Sequence, residues 1–309
     1  MPNHVLITHK LLDSCESALE ERYVVHRLYS APDRDGFIDA LAPDITAIAS
    51  GGVGAALMER LPRLKMISNF GVGYDSIDIA AARARDIRVT NTPNVLNDAM
   101  AEITIGLMIA LARRIPQADR YVRAGKWPSG AFPLQSELNG KTVGMVGLGR
   151  IGAEIAIRCQ AMKMRVVYHA RSRRPHSPYV YYSKLADMAR DVDWLVVITP
   201  GGAATEGLID AEILAALGSR GYLVNMARGS VVDEKALVAA LTDGTIAGAA
   251  LDVFENEPNV PEALWSLDTV VLSPHMGSAT NQTRNAMGAL VVANLDAFFA
   301  GEPLLTPVV

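Results

Sequence analysis

Residues 141–152 read KTVGMVGLGRIG, and no other stretch limits what this 309-residue chain can fold into so tightly. Thr142 to Val146 form a short apolar run with β-branched ends, the pattern of a buried strand. The run stops at Gly147, Leu148, Gly149, Arg150, Ile151 and Gly152, and a helical pattern over 153–162 follows at once. Glycines at such a strand-to-helix joint do three things: they let the chain turn, let a pyrophosphate approach the backbone, and let the helix pack close to the strand. The helix start then presents free N–H groups to phosphate. A glycine triplet alone also fits a plain turn, but a strand before it and a helix after it are the context a dinucleotide requires. Gly147, Gly149, Arg150, Ile151 and Gly152 are therefore candidate cofactor residues.

Upstream, apolar runs at 5–7, 24–28, 45–49, 66–69 and 87–90 alternate with helical spacing at 11–23 and 55–60. Alternation of this kind predicts a parallel sheet covered on both faces. Ligands of such sheets sit at the carboxyl ends of strands. Two glycine-rich segments fall there, SGGVG (50–54) and FGVGYD (70–75), and the backbone N–H groups of Val53, Gly54, Val72 and Gly73 are candidates to hold a small carboxylate. The same glycines also suit simple turns. Residues 98–120 read as one unusually apolar helix, which must be buried in a core or a subunit contact. Thr104 on that helix is a further cofactor candidate, and the irregular arm at 121–138 suits either an intersubunit clasp or a surface loop.

After the glycine turn, 165–168 predicts the second strand of the cofactor unit. Proteins that prefer NAD place an acid at its end to bond the ribose hydroxyls. Here the chain continues His169, Ala170, Arg171, Ser172, Arg173, Arg174, without an acid. A 2′-phosphate is well served by guanidinium forks and a hydroxyl, which favours NADP(H) over NAD(H), against the alternative of a solvated basic loop. The strand at 194–199 ends in Thr199 and Pro200, near the expected adenine. Later strands lead to Arg228, to Asp252 and Glu257, and to His275. The net charge of -4 gives no general attraction to nucleic acid or an anionic membrane. Cys15 and Cys159 stand far apart, unlike a disulfide framework or metal site; a cytoplasmic setting with no metal is expected.

Three further stretches, NMARGSVVDE (225–234), ALDVFENEP (250–258) and SPHMGSAT (273–280), complete a pattern with GLGRIG. Together they resemble the D-isomer-specific 2-hydroxyacid dehydrogenase family over essentially the whole chain. The likeness is nearest to its NADPH-dependent glyoxylate and hydroxypyruvate reductases. The resemblance implies an α/β fold of two doubly wound parallel-sheet domains, with a Rossmann cofactor domain (98–284) inserted into a flavodoxin-like substrate domain (1–97 and 285–309). It implies a homodimer with residues 100–135 in the contact, and a cleft between the domains. It places the catalytic arginine on Arg228, the acid on Glu257 and the histidine on His275.

These residues suit reduction of a small 2-keto acid. A hydride reaches C2, His275 hands a proton to the carbonyl oxygen, Glu257 orients the imidazole, and Arg228 holds the carboxylate and the developing alkoxide. Asp252 is expected either at the nicotinamide amide or as a loop cap; Phe70, Val53, Trp127 and Phe132 are candidates to shape the substrate pocket. Rival readings keep the scaffold. One is an NAD-type enzyme acting on an arylpyruvate, formate or phosphite, although formate enzymes of the family carry glutamine where Glu257 stands. The other is a nucleotide-sensing corepressor, which would need tails or a basic segment that this chain lacks.

Overall fold

The structure is a computed structural model and describes residues 2–309. Two compact units are built from it: unit 1 runs to Leu96 and resumes from Ser278 to Val309, and unit 2 is Asn97–Gly277.

Unit 1 holds five strands, β1 (His4–Ile7), β2 (Val24–Arg27), β3 (Ile45–Ala49), β4 (Met66–Ser68) and β5 (Arg88–Thr90). All pair in parallel, in the order β2-β1-β3-β4-β5. That is the flavodoxin-like order, whose topological switch point lies between β1 and β3. Leu6, Ile48, Ile67 and Val89 point to one face, while Val5, Ile7, Ala47 and Met66 meet the helix Asn281–Ala300 on the other. Asp33, Asp78 and Thr280 each accept an N–H of the first turn of the helix they cap. The family resemblance implied a return to this unit at residue 285, and the structure corrects that to 278. Thr280 caps a helix that runs without interruption from Asn281 to Ala300, and one continuous helix is not divided at its fourth residue. The tail then bridges back onto β5, Thr90 to Pro307.

Unit 2 holds β6 (Thr142–Val146), β7 (Arg165–His169), β8 (Val180–Tyr182), β9 (Trp194–Val197), β10 (Tyr222–Asn225), β11 (Gly248–Leu251) and β12 (Val270–Leu272). The order is β12-β11-β10-β9-β6-β7-β8, all parallel, so the order in which strands are added reverses between β6 and β9. Strand β8 escapes a reading by apolar runs because its residues Val180, Tyr181 and Tyr182 lie on the sheet edge, partly exposed. The expected single helix over 98–120 is two helices, Asn97–Ala112 and Ile115–Arg123. Pro116 lacks an N–H and its ring obstructs a continuing helix, and Arg114 takes a left-handed φ of 47° at the break.

The second of these helices buries none of its residues, and the arm after it stays open until Leu138, which is buried in the core. Ile115, Val122, Trp127 and Leu134 are all exposed, Leu134 completely. The arm is nonetheless ordered by its own contacts: the Tyr121 hydroxyl donates to Gly130 O at 2.8 Å, and the Tyr121 and Phe132 rings meet edge-on. No helix is long and apolar enough to cross a membrane among the described residues. Cys15 and Cys159 are buried free thiols; burial pushes them up to about 11 and about 12, so both act as small core residues.

Candidate active site

The glycine turn lies at the switch point of the seven-stranded sheet. Gly147 has φ +99°, and a Cβ there would stand 2.9 Å from the Ile198 carbonyl oxygen, so the turn after β6 presses against the end of β9. At Gly152 a Cβ would come 2.7 Å from Gly147 O, closing the helix onto the strand. At Gly149 it would meet nothing within 4 Å. The middle glycine therefore borders open space at the start of the helix Arg150–Ala161, where a pyrophosphate has room to approach the backbone. Thr199 adds a second sign of a missing ligand: its hydroxyl oxygen is buried without a hydrogen-bond partner. Beyond β7, Arg171, Ser172 and Arg173 are exposed, and Tyr168 OH accepts from Arg174 N at 2.8 Å, holding the loop's far end. These residues fit a dinucleotide. Thr104 does not join them. It has no exposed surface, and its hydroxyl donates one turn back to Met100 O at 2.6 Å, which gives it a packing role inside its helix.

Three neighbouring strands carry the other candidates. Asn225, Leu251 and Leu272, the last residues of β10, β11 and β12, lie in register. Arg228 follows β10, Asp252 and Glu257 follow β11, and His275 follows β12. The buried Asn225 side chain accepts from Ala227 N and donates to Arg228 O, fixing the turn that presents Arg228. The next residue must be glycine: any Cβ on Gly229 would overlap the backbone of Phe254 and Glu255. Glu257 Oε1 accepts from Phe254 N at 3.0 Å, and Oε2 lies 2.7 Å from His275 Nδ1. An ionised carboxylate only accepts, so Nδ1 carries the proton and Nε2 is left to face a substrate.

His275 itself sits at φ 48°, a strained left-handed position for a residue with a side chain. Asp252 explains how it is held. This buried carboxylate accepts from Ser273 Oγ at 2.6 Å and from the N–H groups of Met276 and Gly277 at 2.9 Å each, while its own carbonyl accepts from His275 N. Of its two expected roles, Asp252 fills that of the loop cap. Asn225 was not expected as a brace; an amide at the last buried position of a strand is the signal that would have found it.

Unit 1 assembles a different kind of site. At its switch point the Thr8 hydroxyl donates to Gly51 O at 2.7 Å, and Ser50 takes a φ of 103° that L-residues rarely adopt. Val53 is buried and Gly54 exposed at the start of the helix Ala55–Arg60. In the 70–73 loop the carbonyls are drawn inward. Asn69 Nδ2 donates to Gly71 O and Gly73 O, Asn91 Nδ2 to Val72 O, and Thr92 N to Gly71 O. With the carbonyls of Gly71, Val72 and Gly73 engaged in this way, the loop's N–H groups are the polar groups left to suit an anion. Asn69 and Asn91 were not among the expected site residues. A hollow of about 570 Å³ elsewhere in unit 1, lined by Lys65, Arg83, Arg88 and Val309, opens at the amino ends of β4 and β5, away from these loops.

Residues 105–277 match the family described as D-isomer specific 2-hydroxyacid dehydrogenase, NAD binding domain. The chain is 46% identical to glyoxylate/hydroxypyruvate reductase A of Arabidopsis thaliana, over 99% of this chain and 98% of that protein. It is 44% identical to hydroxyphenylpyruvate reductase of Plectranthus scutellarioides, over 95% of each. Among solved structures it is similar to the NADPH-dependent glyoxylate/hydroxypyruvate reductase of Sinorhizobium meliloti in complex with NADP and malonate. The TM-score is 0.93 and the identity 45%, over 100% of this chain and 97% of that one.

Proposed function

As a member of the D-isomer specific 2-hydroxyacid dehydrogenases, with that family's two parallel-sheet α/β domains, this chain is an oxidoreductase, and we propose that it reduces small 2-keto acids with NADPH. Glyoxylate and hydroxypyruvate are the proposed substrates, by likeness to the relatives named for them. The observation that carries the reading is the Glu257–His275 pair, 2.7 Å apart, with His275 on a loop that Asp252 holds in place.

Bound NADPH supplies a hydride to C2 of the keto acid. His275 then donates the proton from Nε2 to the oxygen at C2, and Glu257, opposite Nδ1, holds the ring's direction and balances the imidazolium charge. Arg228 offers a planar fork to the carboxylate and the developing alkoxide. In unit 1 the N–H groups of Val53, Gly54, Val72 and Gly73 are assigned to the substrate carboxylate. Gly147, Gly149, Arg150, Ile151 and Gly152 are assigned to the pyrophosphate, with Thr199 and Pro200 beside them. Arg171, Ser172 and Arg173 grip the 2′-phosphate, and the absence of an acid after β7 supports NADP(H) over NAD(H). The exposed apolar residues of the 115–134 segment are assigned to a homodimer contact. The test is a turnover assay of the purified protein with glyoxylate, hydroxypyruvate and formate, each with NADPH and with NADH. Turnover of the keto acids with NADPH is expected, and inactivity toward every 2-keto acid would remove the reading.

A further inference from the structure

Of the four partly buried arginines of unit 1, Arg27 pairs with Glu16 and Glu20, Arg60 pairs with Asp35 and Asp39, and Arg85 donates to the Leu61 carbonyl. Arg284 is different. It lies in the opening turns of the helix Asn281–Ala300, whose first turn carries no acid, and no described carboxylate pairs with it. A cation near a helix start is opposed by the helix dipole, and burial here also pushes its pKa down. What supports the guanidinium is the Phe70 ring, with Cζ 5.5 Å from the ring centroid.

The neighbourhood says what such a cation serves. Ser68 Oγ donates to Val291 O, and Phe70 lies under Arg284. Two residues forward along the strand thus correspond to seven back along the helix, so the helix runs antiparallel to β4 and its first turn overhangs the strand's carboxyl end. The 70–73 loop begins there, with its carbonyls withdrawn by Asn69 and Asn91. A guanidinium lying on an aromatic face keeps its in-plane N–H fork free, and that fork matches a carboxylate.

We propose that Arg284 is a substrate-binding residue, which grips the carboxylate of the 2-keto acid beside the Val72 and Gly73 N–H groups and sets the preference for acids over uncharged carbonyls. The proposal rests on the reductase reading above. Its test compares the full-length wild type with R284Q and R284K, by steady-state kinetics with hydroxypyruvate and by calorimetric titration with malonate, a carboxylate that cannot be reduced, with NADP present. In R284Q the KM for hydroxypyruvate and the Kd for malonate rise about 10- to 100-fold. In the same variant kcat, NADPH affinity and Tm stay near the wild type, and R284K recovers part of the loss. Unchanged KM and Kd in a folded R284Q overturn the proposal. So does a loss of Tm and kcat in both variants without a selective rise in KM. A wild type that turns over no 2-keto acid, yet binds malonate through Arg284, removes the reductase reading and leaves the carboxylate site standing.

Discussion

Unit 1 and unit 2 both place their candidate residues just past the carboxyl ends of parallel strands, but they use different chemical material. Unit 1 offers main-chain N–H groups, made available because Asn69 and Asn91 occupy the carbonyls of the same loop. Unit 2 offers side chains that carry charge and protons: Arg228, Glu257 and His275. Backbone amides cannot gain or lose a proton near neutral pH, so a site built from them binds and does not catalyse proton transfer. An imidazole can do both. On the proposed reading unit 1 holds the substrate carboxylate, through amides and Arg284, while unit 2 binds the cofactor and moves the proton, so substitutions at the two substrate-facing sites should leave different kinetic signatures.

The sharpest challenge to that division is His275→Ala. It should lower kcat about 10²- to 10⁴-fold with NADPH affinity kept, as loss of a general acid does. Stopped-flow turnover beside a fluorescence titration of the cofactor reads both, and near-normal kcat would take the chemistry away from unit 2. Next in size, Arg171→Ala with Arg173→Ala should weaken NADPH binding roughly 10- to 100-fold and leave NADH affinity unaltered. An equal loss for both cofactors would mean that the loop does not read the 2′-phosphate. Asn91→Ala should then raise KM about 5- to 10-fold at constant kcat, because freeing Val72 O lets the loop turn its N–H groups away. A fall in kcat instead would blur the two signatures.

The smallest effect concerns stability in acid. Burial pushes the Glu16 carboxyl up, but hydrogen bonds from Arg27, Leu11 N and Tyr29 outweigh it and hold the group below its ordinary value. A depressed folded value stabilises above the unfolded value, and that stability fades as pH falls through the folded one. Tm of the wild type should therefore decline by a few degrees more than that of Glu16→Gln between pH 6 and roughly pH 3, in a calorimetric scan. Parallel curves would show that Glu16 contributes nothing specific to unit 1.

Which of these residues can be read from sequence follows from the range of the interaction that defines them. The glycine turn is legible because its demands fall within six consecutive positions, and Gly147, Gly149 and Gly152 meet three different surroundings that those spacings imply. Glu257 and His275 stand 18 residues apart and are joined only by the fold, so resemblance to a family, rather than any local pattern, singled them out. Asn69, Asn91 and Asn225 were missed because their work is to satisfy carbonyls in turns, which leaves no periodicity and no charge. Thr104 misled for the opposite reason: a hydroxyl on an apolar helix invites a ligand until its bond to Met100 O is seen. Apolar spacing ran straight through Pro116, where backbone chemistry stops a helix.

The helix Asn281–Ala300 closes one face of the sheet formed by the first part of the chain, supplying Val291, Val292 and Leu295 against Val5, Ile7 and Met66. On a ribosome those partners emerge at opposite ends of synthesis. The first five strands are made early but wait, with one flank bare, while the whole seven-stranded sheet is translated. A nascent chain stalled before residue 281 would thus expose an apolar face that chaperones can recognise, although its second sheet is already complete.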